Sequence, residues 1–348
     1  MEVTHLVPLL GLTHLVMFEI RMNTQPPFRT SPPFNQGDAK SQADARVAIL
    51  LCTYNGAEFL SEQLHSFLRQ THKNWVIYAS DDGSNDETLD LLWALQRTLG
   101  EDRLVILQGP NDGFAKNFLS LIQNESITAD YFAFSDQDDI WFEDRLARGI
   151  AQLSSATDTP ALYCSRTRLI SADKRILGFS PLFSAPPHFR NALVQSIAGA
   201  NTMLINAQAR ALLAQTPKNM RIAAHDWLTY LLVTGCGGRV VYDPLPTLDY
   251  RQHNGNLIGA NAGLKQRLIR TAKMCSGRFR EWSDQNLRIL ESFESSLATE
   301  SRSSLDSFKT ARQSRLLERL RLMKKSGVYR QTPQGNVSLF IAACLNRI

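Results

Sequence analysis

From Arg46 onward the chain alternates continuous apolar runs with stretches whose apolar residues recur every three to four positions. Val47-Ala48-Ile49-Leu50-Leu51-Cys52 is unbroken and of strand length, the pattern of a strand buried on both faces. Thr53-Tyr54-Asn55-Gly56 ends it, and Glu58–Gln70 then sets Phe59, Leu60, Leu64, Phe67 and Leu68 at helical spacing. Trp75–Ala79 predicts a second strand. It runs into Ser80-Asp81-Asp82-Gly83-Ser84-Asn85-Asp86, where Asp86 can cap a helix reaching about Leu99. Leu104–Gln108 predicts a third strand, Asn111-Asp112-Gly113 a turn and Phe114–Gln123 a helix. Tyr131–Ser135 predicts the fourth strand, and Phe142–Leu153 a helix after it. Strand and helix alternating with short connections imply a parallel sheet with helices on both faces.

The second half is less regular. Short strands are expected at Ala161–Cys164 and Arg168–Ile170, a Pro-rich loop at Ser180–His188, and a small-residue turn entering a strand over Ala198–Ile205. Ala207–Ala214 and Ala223–Val233 read as helices, Arg239–Tyr242 and Leu248–Gln252 as strands, and His253-Asn254-Gly255-Asn256 as a turn.

The polar residues interrupt this pattern at particular places. Phe134-Ser135-Asp136-Gln137-Asp138-Asp139-Ile140-Trp141 packs three carboxylates into four residues. Like charges so close repel, and a hard divalent cation such as Mg²⁺ or Mn²⁺ is the usual offset. An isolated cluster of this kind is more often a helix cap, here Asp139 before Phe142–Leu153. Thr53-Tyr54-Asn55 and Asp81-Asp82, however, also sit at strand carboxyl ends, where open α/β sheets bind ligands. Three polar clusters on one edge favour a site over three solvated turns.

Composition adds bounds rather than detail. The 348 residues are 43% hydrophobic and 20% charged, an ordinary globular balance. Five scattered cysteines, Cys52, Cys164, Cys236, Cys275 and Cys344, form no pair motif and fit a reducing cytoplasm. No run of 18 apolar residues predicts a spanning helix. Leu6–Phe18 is apolar but has no basic residues before it and no clear cleavage site, so a signal peptide is not expected; a start at Met22 would also account for it. We expect residues 1–45 to be disordered, 46–260 to form the α/β domain (46–141 and 142–260 as its halves), and 261–348 a helical segment. Net charge is +5, and Leu264–Arg330 holds sixteen Lys/Arg against seven Asp/Glu. Leu264, Leu268 and Ile269 recur at helical spacing, as do Leu316, Leu317, Leu320 and Met323. Such basic amphipathic helices suit packing on the core or adhesion to an anionic membrane surface. Nothing indicates nucleic acid, since aromatic interleaving and binding motifs are missing.

Four stretches in order resemble family-2 glycosyltransferases of the GT-A fold: Leu51–Gly56, Ser80–Thr88, Ser135–Trp141 and His225-Asp226-Trp227. The resemblance implies an α/β, Rossmann-like, mostly parallel sheet with helices on both faces, here followed by the basic helical segment. Ser135–Trp141 together with Tyr250-Arg251-Gln252-His253-Asn254 resembles the bacterial rhamnosyltransferases of lipopolysaccharide and O-antigen assembly. By that resemblance Thr53, Tyr54, Asn55 and Asp81 line the nucleotide pocket, with Asp81 on the base and Asp82 anchoring the Gly83-Ser84 turn. Asp136 and Asp138 correspond to the family's Asp-x-Asp: Asp138 on a divalent metal (Mg²⁺ or Mn²⁺), Asp136 on the ribose or the metal's waters, and Asp139 behind them or capping the helix. Arg251 and His253 correspond to diphosphate and metal contacts, and Asp226 to the general base. Asn201 and Trp227 border the sugar or acceptor pocket.

The implied enzyme inverts the sugar while moving it from a nucleotide-sugar donor, dTDP-rhamnose by this resemblance, to a glycan or glycolipid acceptor. It would work in the cytoplasm or peripherally at the inner face of the cytoplasmic membrane. The Gln-x-x-Arg-Trp motif and membrane helices of processive synthases are missing, which favours adding one sugar. Alternatives are a UDP-linked donor, or a nucleotide-binding module without catalysis. A phosphohydrolase is excluded by Asp139-Ile140 after Asp138, an EF-hand by Ile140-Trp141. A dinucleotide fold is excluded because Gly235-Cys236-Gly237-Gly238 follows a helix.

Overall fold

The structure, a computed structural model, describes residues 39–253 and 278–348. Cys275, the turn expected from Asn254 and the Leu264–Ile269 repeat lie outside the described residues, as do residues 1–38. The chain runs through α1 (Ala39–Asp44), β1 (Val47–Thr53), α2 (Ala57–Leu68), β2 (Trp75–Asp81), α3 (Thr88–Leu99), β3 (Leu104–Gln108), α4 (Phe114–Gln123) and β4 (Tyr131–Ser135). It continues through β5 (Ile140–Trp141), α5 (Arg145–Leu153), β6 (Ala161–Ser165), β7 (Arg168–Ser171), β8 (Ile176–Phe179) and α6 (Phe189–Ala192). Then come β9 (Leu204–Asn206), α7 (Ala207–Ala214), α8 (His225–Gly235), β10 (Arg239–Asp243) and β11 (Leu248–Gln252). Four helices complete the described chain: α9 (Arg278–Ser292), α10 (Thr299–Gln313), α11 (Leu316–Ser326) and α12 (Pro333–Cys344).

The main sheet has the order β10-β6-β9-β4-β1-β2-β3. Only β9 runs against its neighbours β4 and β6. β1 shows why a continuous apolar run was needed. Ala48, Leu50 and Cys52 enter one hydrophobic core, and Val47, Ile49 and Leu51 enter the other. The two-residue period of a strand divides the run between two covered faces. The register aligns Thr53 with Asp81 and Asp81 with Gln108, so these strands end level. Ser135 pairs instead with Leu51, two residues short, which leaves room for the acidic loop to fold over the edge. A second sheet, β5-β11-β7-β8, closes beneath that loop.

Four features depart from the expectations. Helix α1 occupies residues expected to be disordered. The helix expected from Phe142 begins at Arg145, because Ile140-Trp141 pairs with β11. β8 was not foreseen; its Ile176 and Leu177 are both exposed, so it lacks strand alternation. The short α6 was not foreseen either. The C-terminal helices share the core of the α/β layers: Leu290, Phe308, Ala311, Leu339 and Ala342 are buried in one cluster with Leu228 and Leu232 of α8. Among the described residues, no helix is long and apolar enough to cross a membrane.

This shared core predicts one cooperative transition. Phe308→Ala should cost about 3–5 kcal/mol and shift a single denaturant midpoint, followed by circular dichroism and by tryptophan fluorescence. An early, separate loss of helical signal would show that the C-terminal helices unfold independently.

Candidate active site

Loops at the carboxyl end of the main sheet are held by side chains borrowed from one another. After β1, Asn55 adopts a left-handed backbone with φ of 47°, a conformation Asn tolerates. Its Oδ1 accepts the Asn85 N–H at 2.9 Å, and its own N–H donates to Ser84 Oγ at 2.8 Å. The Gln137 amide spans to the same loop. Its Oε1 accepts the Tyr54 N–H at 2.8 Å, and its Nε2 donates to the Tyr54 carbonyl at 3.1 Å. A Cβ on Gly56 would lie 2.2 Å from Gln137 Oε1, so this approach requires glycine. The Tyr54 ring remains 58% exposed, free to stack on a ligand.

Asp81 is spent inside this scaffold. It accepts from the Thr53 hydroxyl at 2.7 Å, the Ser84 hydroxyl at 2.6 Å, and the N–H groups of Ser84 and Gly83 at 2.8 and 3.2 Å. Both oxygens are engaged and the residue is buried, so the expected base contact gives way to a loop anchor. The anchoring of the Gly83-Ser84 turn expected of Asp82 therefore belongs to Asp81. Asp82 instead accepts the N–H groups of Asn111 and Gly113 at 2.7 and 2.9 Å and holds the loop after β3.

The acidic loop separates its three carboxylates. Asp139 is fully buried and accepts Asn201 Nδ2 at 2.6 Å and the Arg251 N–H at 3.3 Å. It is no helix cap, since α5 begins six residues later. Burial, then Asp138 and Asp136, holds its carboxyl well above the usual range. Asp138 faces His253, with Oδ2 to Nε2 at 2.8 Å. Asp136 is half-buried, and burial, then the charges of Asp138 and Asp226, pushes it up to about 7. Asp226 belongs to another element, the first turn of α8. The neighbouring His225 ring lies 5.6 Å from the Phe134 ring at the end of β4, which brings the first turn of α8 to the acidic loop. Burial raises Asp226 to about 6, against the pull of the Trp227 N–H at 2.7 Å and the Ser196 hydroxyl at 3.3 Å.

Two buried guanidiniums brace the loop from beneath. Arg251 donates to the Asp138 carbonyl at 2.9 Å, the Ala172 carbonyl at 2.8 Å and Glu62 at 2.8 Å, and it stacks over the Phe59 ring at 4.5 Å. It is fully buried, so the diphosphate contact expected of it becomes a support for Asp138. Arg145 donates to the carbonyls of Asn201 and Phe134 and lies 3.7 Å from the Trp141 ring centroid. Asn201 and Trp227 do not border an open pocket. Asn201 is buried against Asp139, and the Trp227 indole N–H donates to the Ala192 carbonyl at 2.6 Å while its ring packs near Phe279 and Trp282. The structure thus brings Tyr54, Asp136, Asp138, His253 and Asp226 to one site, buries Thr53, Asp81, Asp82, Asn201 and Arg251 behind it, and leaves Asn55 exposed beside Tyr54.

Gln137, Glu62, Arg145 and Ser196 were not foreseen. Arg145 alone left a signal: it falls on the buried stripe of α5 with Leu146, Gly149, Ile150 and Leu153. The donor set at Asp138 and His253 fits a hard or borderline divalent cation that takes most ligands from substrate oxygens. Among the described residues, no group of three or more His, Cys, Asp or Glu forms a metal cage by itself.

The model of glycosyl transferase family 2 matches residues 48–197. A dTDP-rhamnosyl transferase of Shigella flexneri, RfbG, is 30% identical over 232 residues, 63% of this chain and 77% of that protein. The chain belongs to glycosyl transferase family 2. TarS 1-349 of S. aureus, solved with UDP-GlcNAc, shares its GT-A fold with a TM-score of 0.51 at 14% identity, covering 87% of this chain and 89% of that one. A mannosyltransferase of Pyrobaculum calidifontis, solved with GDP-Man and Mn²⁺, gives 0.48 at 15%, covering 87% and 86%. As a family-2 glycosyltransferase, the protein transfers a sugar from a nucleotide-sugar donor. The family match ends before Asp226 and His253, so these two are placed by the fold rather than by that match.

Asp226 carries a pH signature. A carboxyl raised from 3.8 to about 6 binds its proton more tightly in the folded state. Folding stability therefore falls as pH rises from about 4 through 6 and levels off above that. Asp226→Asn should stabilise the unliganded protein by about 1–2 kcal/mol at pH 8, allowing for solvent screening. At pH 4 the gain should vanish, as read from thermal midpoints. An equal gain at both pH values would contradict the raised carboxyl.

Proposed function

We propose that this glycosyltransferase inverts the sugar it transfers, that Asp226 is its general base, and that the donor is a dTDP- or UDP-linked sugar, with dTDP-rhamnose the first choice. The observation that carries the reading is Asp226 in the first turn of α8, where the adjacent His225 ring lies 5.6 Å from Phe134, just before the acidic loop. The two sides suit the two partners of an in-line transfer. The Tyr54 ring offers a stacking surface for the base. Asp138 and His253 would hold a divalent cation, and when bound it would supply positive charge against the developing diphosphate. Asp226 takes the proton of an acceptor hydroxyl. The acceptor oxygen then bonds to the anomeric carbon as the carbon–oxygen bond to the diphosphate breaks on the opposite face. Ser196 and the Trp227 N–H orient the Asp226 carboxylate. Similarity to the Shigella dTDP-rhamnosyl transferase supports rhamnose as the sugar; the acceptor in this reading is a cell-surface glycan or glycolipid.

A base at about 6 should give a rate that rises with pH through that region. Asp226→Asn should lower kcat by roughly 10²–10⁴ and leave nucleoside diphosphate affinity in place. A variant within a few-fold of wild type would remove the base assignment. The donor is read by thermal shift with Mn²⁺ and a set of nucleotide sugars: dTDP-rhamnose should raise the melting point most. Stabilisation by UDP-sugars alone would replace rhamnose while leaving the mechanism intact.

A further inference from the structure

The last helix is unusual for a surface element. α12 (Pro333–Cys344) contains no charged residue. Leu339, Ala342 and Ala343 face the core, as an amphipathic helix should. Yet Val337, Phe340, Ile341 and, just past the helix, Leu345 are 60%, 58%, 40% and 57% exposed. Their spacing of three, four and eight puts them on one stripe. Single exposed apolar residues are ordinary, but a contiguous stripe on an uncharged helix marks an interaction surface. The stripe also extends sideways. Arg319 on α11 donates to the Ala343 carbonyl at 2.9 Å, setting the first turn of α11 beside the last turn of α12. That first turn carries Leu316 and Leu317, and Leu317 is 82% exposed.

Charge selects the partner. From Arg315 to Ile348 the chain has seven Lys/Arg and a single acid, Glu318. Arg321, Lys324 and Lys325 on α11, Arg315 at its start and Arg347 just after α12 are exposed. Apolar side chains among exposed cations fit the boundary of an anionic bilayer, where the former enter the acyl edge and the latter meet lipid phosphates. Position gives the reason. The connection before α12 is tied to the segment that serves the base: the Gln331 N–H donates to Gln195 Oε1 at 2.9 Å, and the neighbouring Ser196 hydroxyl donates to Asp226. The foot of α12 is thus one residue removed from a partner of Asp226.

We propose that the α11–α12 face docks on an anionic membrane and presents the acceptor side of the site to a lipid-linked glycan; this second clause rests on the glycosyltransferase reading above. The full chain is sedimented with vesicles of phosphatidylcholine alone and with phosphatidylglycerol added, while UDP or dTDP binding with Mn²⁺ is measured in parallel. Wild type should partition onto the anionic vesicles only, and less so at high salt. Val337→Asp/Phe340→Asp should weaken partitioning by about tenfold or more with the melting point and nucleotide binding unchanged. Lys324→Glu/Lys325→Glu should weaken it through charge alone. Wild type that stays in solution, variants that bind as well as wild type, or a dimer that the Val337/Phe340 variant dissolves would overturn the docking face. Vesicle binding without nucleotide binding would uphold the face and remove the enzymatic reading; nucleotide binding without vesicle binding would do the reverse.

Discussion

Carboxylate crowding at the end of β4 is the constraint around which the rest of the molecule is arranged. Asp136, Asp138 and Asp139 occupy four positions, and Asp226 adds a fourth charge from α8. Left to themselves these groups would repel and splay the loop. The protein holds them by giving each a different partner. Asp139 goes down to Asn201 and the Arg251 backbone, Asp138 sideways to His253, and Asp226 to Ser196 and its own helix start. On Asp136, burial and the charges of Asp138 and Asp226 act together, and it is pushed up to about 7.

The supports beneath explain how the loop keeps one shape. Arg145 and Arg251 are buried guanidiniums that donate mainly to backbone carbonyls, including those of Phe134, Asp138 and Asn201. Planar, always-charged forks suit this task better than lysine. They bring positive charge under the acidic loop without occupying its open side. On the nucleotide side, Gln137, Asn55 and Asp81 stitch the loops after β1, β2 and β4 together. A site assembled before its ligand arrives loses less on binding and reaction than one that must fold around it.

The parts of this arrangement that were legible in the sequence are those written in local patterns. β1, β2 and β4 are apolar runs that end in polar clusters, and their common edge follows from α/β alternation. Tyr54, Asp138, His253 and Asp226 were reached through short stretches resembling a known family. The supports were illegible because their partners are remote: Asp139 meets Asn201 62 positions away, and Arg251 meets Glu62 189 positions away. Asp139 accordingly read as either a support behind the other two or a helix cap, and Arg251 and Asn201 as ligand contacts. Trp227 sits beside Asp226 in sequence, but the helix turns its ring into the core, so adjacency in a motif did not become adjacency in the site. β8 escaped because it exposes apolar side chains where periodicity expects polar ones.

In the proposed mechanism the crowded carboxylates are a seat for a cation-bound nucleoside diphosphate, with Asp138 as the protein's principal ligand. Titration calorimetry of UDP or dTDP, with Mn²⁺ and with EDTA, on wild type and on Asp138→Ala tests it directly. Wild type should bind tightly only when Mn²⁺ is present, and Asp138→Ala should bind equally weakly with or without it. Equal affinity in EDTA, or a Mn²⁺ effect that survives the loss of Asp138, would contradict it.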